Sequence, residues 1–174
     1  LELKEAICKK LARDNNLNFD PKQIVVSCGG KHSLYNACQA LFQKNDEVII
    51  FKPYWVSFPD FVTVTGATPI FVNTDSSKQN EPDFNDLINK INNKTKGIII
   101  NSPSNPTGGV WCDEAILQLL DIVKNRSDIW LFSDECYEQL TYDTPFKSIA
   151  TFAPQLKNII TFQSCSKTHA MTGW

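Results

Sequence analysis

The amino-acid sequence predicts an α/β fold, a three-layer sandwich in which helices cover both faces of a mainly parallel sheet. Two observations predict it. Short β-branched runs alternate along the chain with segments of helical period, and those runs are apolar throughout rather than at every second residue. A strand that is apolar on both sides is buried on both, the usual situation of a parallel sheet between helical layers. With 174 residues the chain can fill one such core and is too short for two comfortable ones.

The elements follow in order. Leu3, Ile7 and Leu11 recur every four residues and mark one face of an N-terminal helix. "QIVVSC" (23–28) reads as a first strand. "GKHSLYNACQALFQ" (30–43) reads as a helix with Leu34, Ala37, Cys38 and Leu41 on one face. "DEVIIF" (46–51) is the next strand, followed by a Pro-aromatic loop and a short helix around 57–64. "TPIFVN" (68–73) is a third strand, and the polar tract "TDSSKQNEPD" (74–83) a surface loop. Asp83 is placed to cap a helix carrying Leu87, Ile88 and Ile91. "KGIIINS" (96–102), "DIWLFSD" (128–134) and "NIITFQS" (158–164) are further strands, with a helix at 113–125 between the first two.

Composition excludes several function classes. A net charge of −2 gives no electrostatic footprint for nucleic acid or an anionic membrane. No apolar run approaches the ~20 residues that span a bilayer. The opening "LELKEAICKKLARDNN" is an amphipathic helix rather than a signal peptide. Six cysteines without a C-x-x-C pair, and only two histidines, argue against a zinc site. They are expected to be mostly buried free thiols of a reducing, cytoplasmic compartment.

The polar and turn-forming residues cluster at the carboxyl ends of the strands. Gly29-Gly30-Lys31 follows the first strand and Pro53-Tyr54-Trp55 the second. Ser102 to Gly108, including Asn105, follows the strand at 96–102. Asp134 and Tyr137 follow 128–133, and Ser164 and Lys167 follow the last strand. Ligands of open α/β sheets bind in the crevice at those ends, so five loops are expected to converge on one cleft.

Each motif also has a plain structural explanation. Two glycines before a helix make a tight turn, or a cradle for one phosphate at the helix N-terminus. "PSNPTGG" is a turn-rich loop, or a mount for a side-chain amide donor. Trp55 fits a core position or the wall of a flat-ring site. Lys167 alone fits a solvated surface lysine. Asp134, ending an apolar strand with no adjacent Lys or Arg, needs a cationic partner that a ligand can supply. Taken together the set matches pyridoxal phosphate, whose phosphate, ring, phenolic oxygen and pyridinium nitrogen each need one of these groups. Its aldehyde takes a lysine amine as covalent Schiff-base partner.

At this point the chain resembles the fold-type I, class I/II aminotransferases, in their aspartate aminotransferase branch. "GGKHSLYNA", "KPYWVSFPD", "NSPSNPTGGV", "SDECYEQLTYD" and "SCSKTHAMTGW" occur in that family's order and approximate spacing. The resemblance implies that Lys167 binds the cofactor covalently and shuttles the proton at the substrate Cα. It implies that Asp134 pairs with the ring nitrogen, and that Asn105 and Tyr137 hydrogen-bond the phenolic oxygen. Trp55 would stack on the ring, and Gly30, Lys31 and Ser164 would line the phosphate and substrate region. Lys31 is associated in the family with the distal carboxylate of acidic substrates. With Trp55 and Asn105 it makes up the expected substrate side.

The implied reaction is ping-pong transfer of an amino group between aspartate, or another acidic amino acid, and a 2-oxo acid such as 2-oxoglutarate. Transamination of aromatic or neutral amino acids, β-lyase chemistry on the same frame, and a non-catalytic cofactor-sensing domain are the alternatives. The resemblance further implies a homodimer. Residues 1–174 are expected to be a truncated large, cofactor-binding domain, without the N-terminal arm and C-terminal small domain. The chain begins inside a helix without Met and stops at Gly173-Trp174 inside a motif. In the family a phosphate-binding arginine follows that motif, and an arginine for the substrate α-carboxylate lies further on.

Overall fold

A computed structural model describes residues 1–173; Trp174, the end of the "TGW" motif, lies outside them. The main elements in chain order are α1 (Glu2–Asn15), α2 (Gly30–Leu41), β1 (Glu47–Phe51), α3 (Ser57–Thr63) and β2 (Thr68–Val72). Two short strands follow, β3 (Thr74–Asp75) and β4 (Glu81–Pro82), then α4 (Phe84–Lys90) and β5 (Thr95–Asn101). The rest comprises α5 (Asp113–Val123), β6 (Trp130–Asp134), α6 (Ile149–Phe152), β7 (Ile159–Phe162) and α7 (Cys165–Thr168). Five strands form one sheet in the order β2-β1-β5-β6-β7, and every pairing in it is parallel.

The continuous apolar runs bury both faces, as expected. Ile49, Ile98, Ile100 and Leu131 face one layer and pack with Leu87 of α4, with Leu119, Leu120 and Val123 of α5, and with Ile149 of α6. The alternate residues Val48, Ile50, Ile99 and Phe132 face the other layer and pack with Leu34 and Cys38 of α2 and with Phe58, Phe61 and Val62 of α3. Side chains of a strand alternate between faces, so an all-apolar strand supplies two cores at once. Asp83 caps α4, its carboxylate accepting from the N–H groups of Asn85 and Asp86, both at 3.0 Å.

Strand order places the ligand crevice. The chain runs from β1 outward to β2, then crosses back over β1 to β5 and continues through β6 to β7. Direction therefore reverses between β1 and β5, a topological switch point, and the loops carrying Trp55 and Asn105 leave the sheet there.

Three sequence expectations need correction. Residues 24–27 belong to no strand, with Val25 77% and Val26 48% exposed. A β-branched run supplies propensity, not a neighbour to pair with. Four strand ends, not five, therefore carry the site loops, and the glycine turn arrives from outside the sheet. The tract 74–83 is not a plain loop, since β3 and β4 pair antiparallel within it. The N-terminal helix forms as expected; of Leu3, Ile7 and Leu11 on its face only Leu11 is buried, and Leu3 is 60% exposed. Of the six free cysteines only Cys38 is buried; Cys28 and Cys165 are exposed and the other three intermediate. Burial pushes the Cys38 thiol up to about 12.

Candidate active site

Asp134 ends β6, opposite Asn101 of β5 and Phe162 of β7. Phe132, two residues earlier, is fully buried beneath α2 and α3, so Asp134 stands on that same face of the sheet. It is 6% exposed and accepts a hydrogen bond from the Cys136 backbone N–H at 3.2 Å. Loss of water around the charged form pushes its pKa up to about 6, and the bonding from Cys136 offsets only part of this. No ion pair among the described residues includes it. It is a buried acid with no cation.

The loop after β5 is latched to the end of β6. Asn105 Nδ2 donates to the Tyr137 hydroxyl at 3.4 Å, and the Asn105 backbone N–H donates to Asn101 Oδ1 at 2.7 Å. Asn101 Nδ2 in turn donates to the Asp134 carbonyl at 3.1 Å. Asn101 was not singled out in the sequence. The available signal was a side-chain amide at the last position of an apolar strand, where the ladder ends and a loop needs an anchor.

Lys167 lies on the one-turn helix α7, started by Ser164, whose hydroxyl accepts from the Ser166 N–H at 3.2 Å. The Lys167 Nζ stands 5.9 Å from the centre of the Tyr137 ring. Across from it, Gly29 has φ of +82°, a left-handed conformation that suits glycine, and α2 begins there with no side-chain cap. The first N–H groups of α2 are thus left for other acceptors. A methyl group added at Gly30 would sit 3.6 Å from Ser164 Cβ, so the turn and the end of β7 are in contact. Lys31 is exposed, its Nζ 5.1 Å from the centre of the Trp55 ring. Edge contacts with Phe58 and Phe61 fix that ring, at 5.5 and 5.8 Å between centres.

All eight residues singled out in the sequence thus join one series. Trp55 meets Lys31, the glycine turn meets Ser164, α7 brings Lys167 to Tyr137, and Tyr137 meets Asn105 beside Asp134. Surface cavities of about 530 and 250 Å³ lie elsewhere, beside Tyr54 and beside Trp111, and none of the eight residues lines either.

The sequence model of the family described as Aminotransferase class I and II matches residues 1–174. This chain belongs to that family. It is 42% identical over 175 residues to a Bacillus subtilis protein named aspartate aminotransferase, covering 99% of this chain and 44% of that protein. It is 41% identical over 174 residues to a Rickettsia conorii protein named probable aspartate/prephenate aminotransferase, covering 99% and 43%. Among solved structures, the aspartate aminotransferase of Thermus thermophilus with maleate aligns with a TM-score of 0.94 at 38% identity, covering 99% of this chain and 44% of that one. The fold is that of the large domain of fold-type I aminotransferases, and the chain spans somewhat under half the length of these relatives.

Proposed function

We propose that the protein is a pyridoxal phosphate-dependent aminotransferase that moves the amino group between aspartate, or another acidic amino acid, and a 2-oxo acid such as 2-oxoglutarate. The observation that carries this is Asp134, a desolvated carboxylate without a cation at the carboxyl end of a central strand. It fits a pyridinium nitrogen, and its neighbours fit the rest of the cofactor. The glycine turn and uncapped start of α2, with Ser164, suit a phosphate; Asn105 and Tyr137 suit a phenolic oxygen; Trp55 suits a ring face. When bound, the cofactor supplies an aldehyde that condenses with amines and a ring that accepts electron density from the substrate Cα.

The chain's own residues supply the remainder. Lys167 Nζ takes the proton from the substrate Cα and returns it, a general-base and general-acid role that depends on orientation. Asp134 holds a proton at the ring nitrogen and so keeps the ring able to accept electrons. Asn105 and Tyr137 fix the ring in its plane through the phenolic oxygen. In this reading Lys31 and Trp55 form the substrate side and Lys31 meets a distal carboxylate; the Thermus thermophilus relative with maleate, a dicarboxylate, supports an acidic substrate. Six free thiols support a reducing, cytoplasmic compartment. Kinship to this family supports a homodimer.

Borohydride treatment of the complete protein loaded with cofactor, followed by peptide mapping, tests the assignment. A pyridoxyl group is expected on Lys167, and aspartate with 2-oxoglutarate should give oxaloacetate and glutamate. Label on Lys31 would refute the covalent assignment. Ammonia release without need of an oxo-acid acceptor would point to β-lyase chemistry instead.

A further inference from the structure

We propose that Glu138 is a positioning residue for the cofactor site, acting through a closed polar network that clamps α1 to the segments carrying Tyr137 and Ser164; the proposal rests on the cofactor site inferred above. Glu138 is 8% exposed. One of its oxygens, Oε1, accepts from the Lys10 ammonium, and the other, Oε2, accepts from Asn15 Nδ2 at 2.7 Å and Gln163 Nε2 at 3.0 Å. Lys10 Nζ also donates to Asn15 Oδ1 at 2.8 Å and to Gln163 Oε1 at 3.1 Å. An ammonium has three N–H groups, and here each has its own acceptor. Both amides donate to the carboxylate and accept from the ammonium. The four side chains therefore satisfy one another, with charges balanced, in a partly buried setting, Glu138 being the more enclosed of the charged pair.

The placement of these side chains gives the network its reach. Glu138 directly follows Tyr137, and Gln163 directly precedes Ser164. Lys10 and Asn15 lie on α1, which contributes none of the site residues and whose Leu3 end is exposed. A lysine–carboxylate pair with one buried and one partly exposed partner adds little net stability, because the carboxylate loses water and the ammonium keeps some of its own. What it supplies is direction: a fixed geometry between segments 128 residues apart in the chain. A small displacement of a catalytic frame costs rate out of proportion to the movement, so a clamp on both flanks of the site has a functional consequence.

Two variants of the complete protein, Glu138→Gln and Lys10→Met, test this by titrating the apo form with pyridoxal phosphate. Both should weaken binding about tenfold or more, the size of one hydrogen bond to a charged group. Both should also move the pH midpoint of the bound cofactor's absorbance, because the Tyr137 hydroxyl shifts against the ring oxygen. A lower melting temperature with unchanged affinity and midpoint would overturn the proposal, leaving a clamp that serves only the fold. If Glu138→Gln does not fold, Lys10→Met decides alone. Failure of the unmodified protein to bind pyridoxal phosphate would remove the cofactor site itself, and the proposal with it.

Discussion

An aspartate whose pKa burial holds up to about 6 is a poor anion alone and a good one beside a cation. Below that pH the empty site carries a proton that a cationic ring nitrogen must displace. Affinity for pyridoxal phosphate should therefore fall as the pH drops through about 6, and Asp134→Asn should lose that component. The same variant should slow proton removal from Cα by about 100-fold, on the order of 3 kcal/mol, while substrate binding changes much less. Near-normal single-turnover rates would contradict this. In the proposed reading Lys31 sets substrate class rather than chemistry. Lys31→Ala should lower kcat/KM for aspartate or glutamate by about tenfold, the loss of one charge-assisted hydrogen bond, and leave monocarboxylic substrates little changed. Equal losses for both would assign Lys31 to the phosphate or the fold. Asp134, Asn105 and Lys167 stood out in the sequence because polar residues at or a few positions past the carboxyl end of an apolar strand are conspicuous. Lys10, Asn15, Glu138 and Gln163 were not, since their partners lie up to 153 residues apart and each alone reads as surface.

Helix α6 shows at the scale of elements what a sequence conceals. It has four residues, and its N-cap Ser148 makes no side-chain cap bond within the helix. Its start is held from elsewhere: Glu135, just past β6, accepts from the Ile149 N–H at 3.2 Å and from the Ser148 and Ser133 hydroxyls at 2.9 Å each. All three bonds reach one oxygen; the other, Oε2, is buried without a partner. Desolvation pushes Glu135 from its ordinary 4.5 up to about 7, and nearby Glu138 adds to the rise. Between those values the folded chain keeps a proton that the unfolded chain has released, so stability falls as the pH rises through that window. Glu135→Gln keeps an acceptor for the three donors and cannot ionise. Denaturant unfolding from pH 5 to 8 should therefore show a flatter profile in the variant, with a relative gain at pH 8 on the order of 3 kcal/mol. An unchanged slope would mean that Glu135 is ionised throughout. The five strands of the sheet were legible because each is apolar on both sides. The segment 24–27 was misread because its composition matches theirs, and only pairing makes a strand.

At the scale of the whole molecule the decisive quantity is the supply of cations. The chain spans 44% of the Bacillus subtilis relative, and its two arginines are committed away from the crevice. Arg13 pairs with Asp14 on α1, and Arg126 with Asp128 just before β6. For a doubly charged phosphate, residues 1–173 offer a glycine turn, Ser164 and the exposed Lys31, without the bidentate grip of a guanidinium. The sheet is also open at both ends: β2 and β7 are edge strands, and the unpaired segment 24–27 exposes Val25 and Val26. Unpaired edges and exposed apolar residues promote association. The 174-residue chain expressed alone should therefore bind pyridoxal phosphate weakly, show no measurable transamination of aspartate, and self-associate as its concentration rises. Cofactor titration, a coupled oxaloacetate assay and sedimentation of the same preparation test the three consequences separately. Turnover approaching that of a complete aminotransferase would mean that Lys31 and the glycine turn suffice for the phosphate. A monodisperse monomer would mean that the β2 and β7 edges need no further cover.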